Sequence, residues 1–274
     1  MILNKYEIGE EIKRGAFGCI LKGFYNKTRE PVAIKIEYGG IQSLQHEVKI
    51  INYLTTSKVK QIPEIYWYGI YNENPCLIFT LYECSLFDYM NHKNITTEKM
   101  NILMIKAIDI LEHIHRFFVL HRDIKPQNFM IKNADIFLID FGLATFYIDE
   151  RGQHYPNKSS DTLVGTPKFV SIHIHEGHRY SRRDDIISLG YLYVFMVFGH
   201  APWFPEKIQV HTDTPRIHID HPLNQIMKTN KRWISFVEYI HGFHQIRRYM
   251  EYAYTLEYID DPKYIPMNYI FLDR

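Results

Sequence analysis

The chain has 274 residues, 46% of them hydrophobic and 23% charged, an ordinary composition for a globular protein with one sizeable core or two unequal lobes. Its 32 lysines and arginines nearly balance 31 aspartates and glutamates, so the net charge of +1 predicts neither a nucleic-acid partner nor a membrane surface. The first residues lack an apolar core, which argues against a signal peptide, and three cysteines without metal-ligand spacing favour a reducing, cytoplasmic or nuclear compartment.

The first part of the chain is predicted to be a sheet interrupted by one helix. Short runs rich in β-branched and aromatic residues alternate with turn residues, which is typical of strands. The helix-like stretch is Leu44–Leu54. The five predicted strands are Tyr6–Ile12, Cys19–Tyr25, Val32–Ile36, Ile65–Tyr71 and Leu77–Leu81.

Beyond about Ser85 the pattern becomes helical. Apolar residues recur with a period of 3.6 across Glu98–Arg116, which predicts an amphipathic helix preceded by Thr96 and Thr97 as candidate caps. A hairpin, an irregular segment and a buried helix are predicted to follow, with further helices to the end. The hairpin is predicted at Phe129–Ile131 and Ile136–Ile139, the irregular segment at Tyr147–Thr166, and the buried helix at Asp185–Phe198.

Two glycines, Gly15 and Gly18, stand between the first two predicted strands. Glycines there allow backbone N–H groups to approach phosphate oxygens, although two glycines in a hairpin are more often only a turn. The segment departs from the full G-x-G-x-x-G pattern, because Lys13 stands at the first glycine position.

Lys35 ends the strand-like sequence Val32-Ala33-Ile34-Lys35. It is either an edge-strand lysine facing water or an ammonium that holds α- and β-phosphates, and the second role needs an orienting carboxylate. Glu47 qualifies because it lies on the predicted helix, twelve residues downstream. Glu37, on the same strand face, is the rival partner.

The stretch His121–Ile131 (HRDIKPQNFMI) concentrates charge between the amphipathic helix and the hairpin. Asp123 is either a solvated carboxylate or the base that accepts or positions a substrate hydroxyl proton. In a phosphoryl-transfer site Lys125 would neutralise the phosphoryl group and Asn128 would bind a metal ion. Asp140, in Asp-Phe-Gly after the hairpin, would suit Mg²⁺ bridging the β- and γ-phosphates.

Taken in order, these parts resemble the protein kinase family over essentially the whole chain. The resemblance implies an α+β bilobal fold, with a small antiparallel-sheet lobe at 1–82, a larger helical lobe at 83–274 and no regulatory tail. It implies ATP and Mg²⁺, with Phe79 as gatekeeper and the backbones of Thr80 and Tyr82 on adenine. The residues implied for the nucleotide are Ile12, Gly15, Gly18, Ile20, Ala33, Lys35, Phe79, Thr80, Tyr82 and Asp140.

Other residues resemble the casein kinase 1 group of serine/threonine kinases. Ser171-Ile172-His173 replaces the usual Ala-Pro-Glu, and Ser181-Arg182-Arg183-Asp184-Asp185 follows it. Lys125 and Thr166 resemble the serine/threonine branch, in which Thr166 would hydrogen-bond both Asp123 and Lys125. Asp185 would brace the backbone of His121–Arg122, unless it is a plain helix N-terminal carboxylate. His121 departs from the group, whose members usually have Tyr there.

The resemblance also implies contacts to acidic or pre-phosphorylated substrates, through Arg122, Thr166 and Lys168. Two further basic positions of the group are occupied here by Thr145 and Asp161, so a preference for primed substrates becomes doubtful. As a hypothesis, Asp161 or phosphorylation at a neighbouring hydroxyl supplies a counter-charge for Arg122. The hydroxyl residues are Ser159, Ser160 and Thr162.

The function expected from the sequence is ATP-dependent phosphorylation of protein serine or threonine residues by a monomer. The rivals are a pseudokinase scaffold and a small-molecule phosphotransferase on the same fold. Three histidines in His211–His221 have irregular spacing, which favours a solvated loop over a zinc site.

Overall fold

The computed structural model describes residues 4–15, 17–39, 43–92, 95–205 and 216–272. The chain divides into two compact units. The first comprises Met1–Ser85 and Met130–Gly142, and the second comprises Leu86–Phe129 and Leu143–Arg274. The hairpin that follows Asn128 thus belongs, from Met130 onward, to the first unit.

The first unit is built on a five-stranded antiparallel sheet with the order β1-β2-β3-β5-β4. All five predicted strands are confirmed, and β5 begins three residues before its prediction. The helix α1 is also confirmed, and a smaller sheet has the order β6-β8-β9. The bounds are β1 Tyr6–Gly15, β2 Gly18–Tyr25, β3 Pro31–Glu37, α1 Ser43–Thr56, β4 Ile65–Tyr71, β5 Asn74–Thr80, β6 Cys84–Ser85, β8 Phe129–Lys132 and β9 Asp135–Leu138.

The main sheet is apolar on both faces because alternate residues of β3 enter different clusters. Val32, Ile34 and Ile36 pack with buried residues of the neighbouring strands on one face. Ala33 packs on the other face, where Leu44 and Val48 of α1 cover the sheet. Lys35 shares the strand parity of Ala33, so its side chain belongs to the face that α1 covers.

The second unit is mainly helical, which confirms the predicted α+β class. Its longest helix is α3, whose N-cap Thr96 accepts a hydrogen bond from Lys99 N at 3.3 Å, as expected from the sequence. Short strands accompany the helices. The bounds are α2 Leu86–His92, α3 Thr97–Arg116, β7 Val119–Leu120, β10 Thr145–Phe146, β11 Thr162–Val164, α4 Ile172–His175, α5 Arg182–Phe198, β12 Arg216–His218, α6 Pro222–Asn230, α7 Trp233–Tyr239, α8 His244–Thr255 and α9 Tyr264–Leu272.

Helix α5 begins three residues before its predicted start. Ser181 is its N-cap, and Asp184 accepts a hydrogen bond from Ser181 N at 2.7 Å in a capping box. Periodicity of apolar residues alone could not place this start, because the first turn is polar in sequence and yet buried.

The predicted irregular segment contains one short strand. Thr162–Val164 pairs antiparallel with Arg216–His218, which places part of the histidine-rich stretch in a strand. Its residues 211–215 lie outside the described part of the chain. Within the described ranges, no helix combines the length and apolar character needed to cross a membrane.

Candidate active site

Lys35 lies on a central strand. β3 is bonded to β2 on one side and to β5 on the other, where Lys35 stands opposite Ile20 and Leu77 respectively. Its Nζ is 2.7 Å from Glu47 Oε2 and 3.1 Å from Asp140 Oδ1. Burial acts to lower the pKa of the ammonium, but the two carboxylates outweigh it and raise the pKa above its ordinary value. The edge-strand interpretation of Lys35 is therefore wrong.

Glu47, rather than Glu37, is the carboxylate of α1 or β3 that pairs with Lys35. Glu47 is 4% exposed, and burial raises its pKa although the Lys35 ammonium opposes the rise. Glu37 is also buried, but its Oε2 accepts hydrogen bonds from Leu44 N at 2.7 Å and from the Ser43 hydroxyl. Glu37 thus holds the first turn of α1, and Glu47 orients the lysine.

Asp140 follows β9 in a left-handed backbone conformation, with a φ of 66°. That conformation costs an aspartate about 1 kcal/mol, so the surrounding structure must hold it. Asp140 Oδ1 bonds to Lys35, while Phe141 beside it is fully buried. A carboxylate held in this way fits Mg²⁺, which prefers oxygen ligands.

In the hairpin between β1 and β2, the packing of the neighbouring strand β3 requires a glycine at one of the two glycine positions. A Cβ on Gly18 would lie 2.1 Å from the carbonyl oxygen of Ile36 on β3, whereas one on Gly15 would meet nothing closer than 4.0 Å. Gly18 is thus required by the sheet itself. Ile12 lies at a register irregularity of β1 and is 52% exposed, and Ala16 lies outside the described residues.

The predicted adenine-binding residues lie at the end of β5. Phe79 is buried opposite Ala33, in the cluster that α1 covers. The amide of Thr80 donates to Glu64 O at 3.1 Å, so a contact of Thr80 with adenine is limited to its carbonyl group. Tyr82 packs its ring against Phe137, with centroids 5.2 Å apart.

In the second unit, Asp123 is 7% exposed and both of its carboxylate oxygens are held. Oδ1 accepts hydrogen bonds from the Thr166 hydroxyl at 2.6 Å and the Thr166 amide at 3.1 Å. Oδ2 lies 2.7 Å from Lys125 Nζ and 3.1 Å from Asn128 Nδ2. Because four donors contact this buried carboxylate, the interpretation of Asp123 as a solvated carboxylate is wrong.

Lys125 and Asn128 complete this cluster. Lys125 Nζ also lies 3.1 Å from the Thr166 hydroxyl, so one ammonium links Asp123 to the segment around Thr166. Asn128 donates a second hydrogen bond from Nδ2, to Asp123 O at 2.8 Å. Because its amide nitrogen is used twice, Oδ1 is the Asn128 atom that remains suited to a metal ion.

Asp185 braces the backbone just before Asp123. It is fully buried and accepts hydrogen bonds from the amides of His121 at 2.8 Å and Arg122 at 2.9 Å. Arg122 has a φ of 67°, a strained conformation that these bonds hold in place. The contacts of Asp185 with the backbone of His121 and Arg122 are present, as expected from the sequence. Asp185 is therefore more than a carboxylate at a helix N-terminus.

A chain of directed hydrogen bonds extends this brace to α9. His115 Nε2 lies 3.0 Å from Asp185 Oδ2, and His115 Nδ1 lies 2.6 Å from the Tyr264 hydroxyl. Burial acts to raise the pKa of Asp185, but the hydrogen bonds from His115 and from the His121 amide outweigh it and lower that pKa. Burial lowers the pKa of His115. Neutral His115 therefore donates from Nε2 to the carboxylate and accepts from Tyr264 at Nδ1.

Arg122 contributes to a cationic cavity of about 240 Å³. Lys158 and Arg179 supply two more cations, and no carboxylate is among its lining residues in the described part of the chain. Its hydroxyl groups come from Ser159, Ser160, Thr162 and Tyr180.

Lys168, the third residue predicted for anion contacts, is not part of this cavity. Its Nζ lies 4.6 Å from the centroid of the Phe204 ring, and burial lowers its pKa. The backbone of Lys168 is held as well, since its carbonyl accepts from Trp203 Nε1 at 2.7 Å. The cavity therefore joins Arg122 to Lys158 and Arg179, which the sequence gave no reason to select.

The first unit thus contains the Lys35–Glu47 pair between β3 and α1, and the second contains Asp123 with four hydrogen-bonding or ionic partners. The family description "protein kinase domain" matches residues 6–251. The chain belongs to the protein kinase family, whose members transfer a phosphoryl group from ATP to protein substrates.

Sequence reasoning missed several residues of these arrangements. His115 had a detectable signal, because it stands four residues after Leu111 on the helix that carries the predicted apolar stripe. Tyr264, Lys158 and Arg179 had none, since no motif or periodicity distinguishes them from neighbouring residues of the same type. Only the folded chain brings them to their partners.

Proposed function

We propose that this protein is a serine/threonine protein kinase of casein kinase 1 type, active on protein hydroxyl groups. The observation that carries the proposal is the environment of Asp123, whose carboxylate is held by Thr166, Lys125 and Asn128. A substrate hydroxyl needs a fixed carboxylate to accept or position its proton. Four donors fix this one.

The remaining residues would bind phosphate groups, stabilise charge or bind the metal ion during phosphoryl transfer. Lys35, oriented by Glu47, binds phosphate oxygens of ATP, and Lys125 stabilises the charge of the phosphoryl group in transfer. The Asn128 amide oxygen and the Asp140 carboxylate are the donors that would hold Mg²⁺. That ion, when bound, neutralises phosphate charge.

The cationic cavity supports a preference for acidic or pre-phosphorylated substrates. Arg122 precedes Asp123 directly, and Lys158 and Arg179 line the same cavity. Three cations that line one cavity favour a phosphate group as the ligand, because its oxygens accept charge-assisted hydrogen bonds from Arg122, Lys158 and Arg179. They would replace the two basic positions of the group that Thr145 and Asp161 occupy here without a positive charge.

The central experiment is transfer of labelled phosphate from ATP to acidic, primed and basic peptides, with Asp140→Asn as the control. We expect phosphoserine or phosphothreonine in the product and a loss of roughly 100-fold or more in rate with the substituted enzyme. Metal-dependent binding of ATP without transfer to any peptide would instead identify a scaffold. Phosphorylation of small molecules alone would also refute the proposal.

The substrate preference is tested by Lys158→Gln and Arg179→Gln, with Arg247→Gln as a matched loss of charge on the exposed face of α8. We expect the two cavity variants to raise KM for a primed peptide by about tenfold per charge, and to change KM for its unphosphorylated form little. Equal effects on both peptides, or an equal effect of Arg247→Gln, would contradict this preference.

A further inference from the structure

A fully buried lysine in the second unit lies far in sequence from the residues already described. Lys231 follows α6 directly and is 0% exposed. Its Nζ lies 3.0 Å from Pro167 O, 2.7 Å from Val170 O and 3.1 Å from His175 Nε2. Lysine is among the residues least often found fully buried, so a position of this kind needs an explanation.

The hydrogen bonds around Lys231 define its protonation state. Asn224 Nδ2 donates to the carbonyls of His175 and Ile219, which leaves Asn224 Oδ1 as the acceptor that faces His175 Nδ1. His175 Nδ1 therefore carries the proton, and Nε2 offers a lone pair to the lysine. Burial, with the Lys231 charge, keeps the pKa of His175 well below its ordinary value.

Lys231 thus faces three acceptors, and an ammonium group has three N–H donors. Burial lowers the pKa of Lys231, and this set of acceptors opposes the loss of its proton. The rings of Tyr191 and Trp203 lie 4.6 Å and 5.8 Å from Nζ and add cation–π stabilisation. Within the described residues, no carboxylate forms an ion pair with Lys231.

Two of the three acceptors belong to the turn that carries Thr166. The carbonyl of Thr166 accepts from the amides of Phe169 at 2.8 Å and Val170 at 3.0 Å, which closes the turn Thr166–Val170. Lys231 binds the carbonyls of Pro167 and Val170, and Trp203 Nε1 binds that of Lys168. The carbonyls of Pro167, Lys168 and Val170 therefore accept hydrogen bonds from two side chains that are buried in the second unit.

We propose that Lys231, together with Trp203, is a positioning residue that sets the turn Thr166–Val170 and, through Thr166, the orientation of Asp123. This inference rests on the proposed protein kinase activity, in which Asp123 is the base. The Thr166 hydroxyl donates to Asp123 at 2.6 Å and accepts a hydrogen bond from Lys125. The turn is thus held by Lys231, an ammonium without a carboxylate partner among the described residues, which is itself bonded to the neutral His175. An ordinary ion pair would need a carboxylate, which the sequence does not place at Ser171-Ile172-His173.

The test is Lys231→Met, which keeps an unbranched side chain, one atom shorter, and removes all three donors. We expect kcat/KM for a peptide substrate to fall about 10-fold to 100-fold, while KM for ATP changes less than about twofold. Trp203→Phe keeps a ring and removes one donor, so we expect a smaller loss in the same direction. Phe271→Leu, in the core of α9, is the control for general destabilisation.

Hydrogen exchange supplies a readout that does not depend on activity. We expect the amides of Phe169 and Val170 to lose protection by at least tenfold in Lys231→Met, and to a smaller degree in Trp203→Phe, which also serves if Lys231→Met does not fold. Phe271→Leu should leave that local protection intact relative to the rest of the unit. Unchanged exchange at these amides in the two turn variants would overturn the inference. If the wild-type protein phosphorylates no peptide while the exchange result holds, the proposed function fails and the anchoring of the turn stands.

Discussion

The Nζ atom of Lys35 lies 2.7 Å from Oε2 of Glu47, and this bond joins the central strand β3 to helix α1. Because Glu47 is buried, removing its charge leaves Asp140 as the carboxylate that still contacts Lys35 among the described residues. Lys35 would then be drawn toward the carboxylate proposed for the metal ion.

We therefore predict that Glu47→Gln lowers kcat/KM for ATP by roughly 10-fold to 100-fold, since a correctly placed phosphate ligand is lost. Glu37→Gln is the matched control, because Glu37 is equally buried but bonds to the start of α1. It should lower the free energy of unfolding while leaving kcat/KM nearly unchanged. Steady-state kinetics and urea unfolding separate the two effects, and equal kinetic losses would contradict the assignment.

The brace formed by Asp185 gives a second prediction. Asp185→Asn replaces one of two acceptor oxygens by a donor that must face an N–H group of His121, Arg122 or His115. We expect a loss of about 3 kcal/mol in the free energy of unfolding and a fall of roughly 100-fold in kcat.

Asp109→Asn is the control, since Asp109 accepts a hydrogen bond from Asn268 at a half-buried position of the same unit. It should change the unfolding free energy by less than about 1 kcal/mol. A folded Asp185→Asn enzyme with normal kcat would show that the strained backbone at Arg122 does not need the carboxylate.

Tyr264 gives a third prediction, because it lies on α9, beyond the residues 6–251 that match the family. Tyr264→Phe removes the donor to His115 Nδ1 and leaves a buried acceptor unsatisfied, at a cost of about 1 to 2 kcal/mol. We expect kcat to fall by a few-fold as the brace on His121 and Arg122 relaxes.

Tyr269→Phe on the same helix is the control, because Tyr269 is 60% exposed. Thermal unfolding and kcat should both distinguish the two substitutions. Identical behaviour of the two variants would show that the hydroxyl of Tyr264 contributes nothing to the catalytic stretch.

The fourth prediction concerns pH. Burial, and then the charges of Arg183 and His178, lower the pKa of His173 from its ordinary value of 6.5 to about 3. Below pH 6.5 the unfolded chain binds a proton that the folded chain does not, so stability is lost as the pH falls from 6.5 toward 3. At pH 5 the loss from His173 is about 2 kcal/mol.

His173→Gln should remove that part of the pH dependence. The free energy of unfolding, measured between pH 7.5 and pH 5, should fall less steeply in this variant than in the wild type. His200→Gln, an exposed histidine, is the control and should leave the slope unchanged. A wild-type slope that survives His173→Gln would refute the prediction.

Much of the local structure could be predicted because it depends on short-range patterns. The five strands and α1 followed from β-branched runs and turn residues, and α3 followed from its apolar period and its cap at Thr96. Helix α5 was predicted three residues too short, because Arg182–Asp184 are polar and the burial of Arg183 and Asp184 depends on partners elsewhere in the chain.

The candidate site could be predicted only as a set of residue types in order. Lys35, Asp123, Asn128 and Asp140 were singled out from their motifs, but the sequence left an ordinary alternative open for Lys35 and for Asp123. The choice between Glu47 and Glu37 required the structure, because both carboxylates are close to Lys35 along the chain. In the structure, Glu47 bonds to Lys35, whereas Glu37 accepts a hydrogen bond from the first turn of α1.

The sequence by itself determined the order of sheet and helices, the residue types of the phosphoryl-transfer site and the resemblance to protein kinases. Only the tertiary structure decided which charges meet. Lys231 reaches the turn at Thr166–Val170, Tyr264 reaches His115, and Arg179 shares a cavity with Arg122. These contacts join residues far apart in the chain, and no periodicity encodes them, because the free energy of a buried charge depends on its neighbours in space.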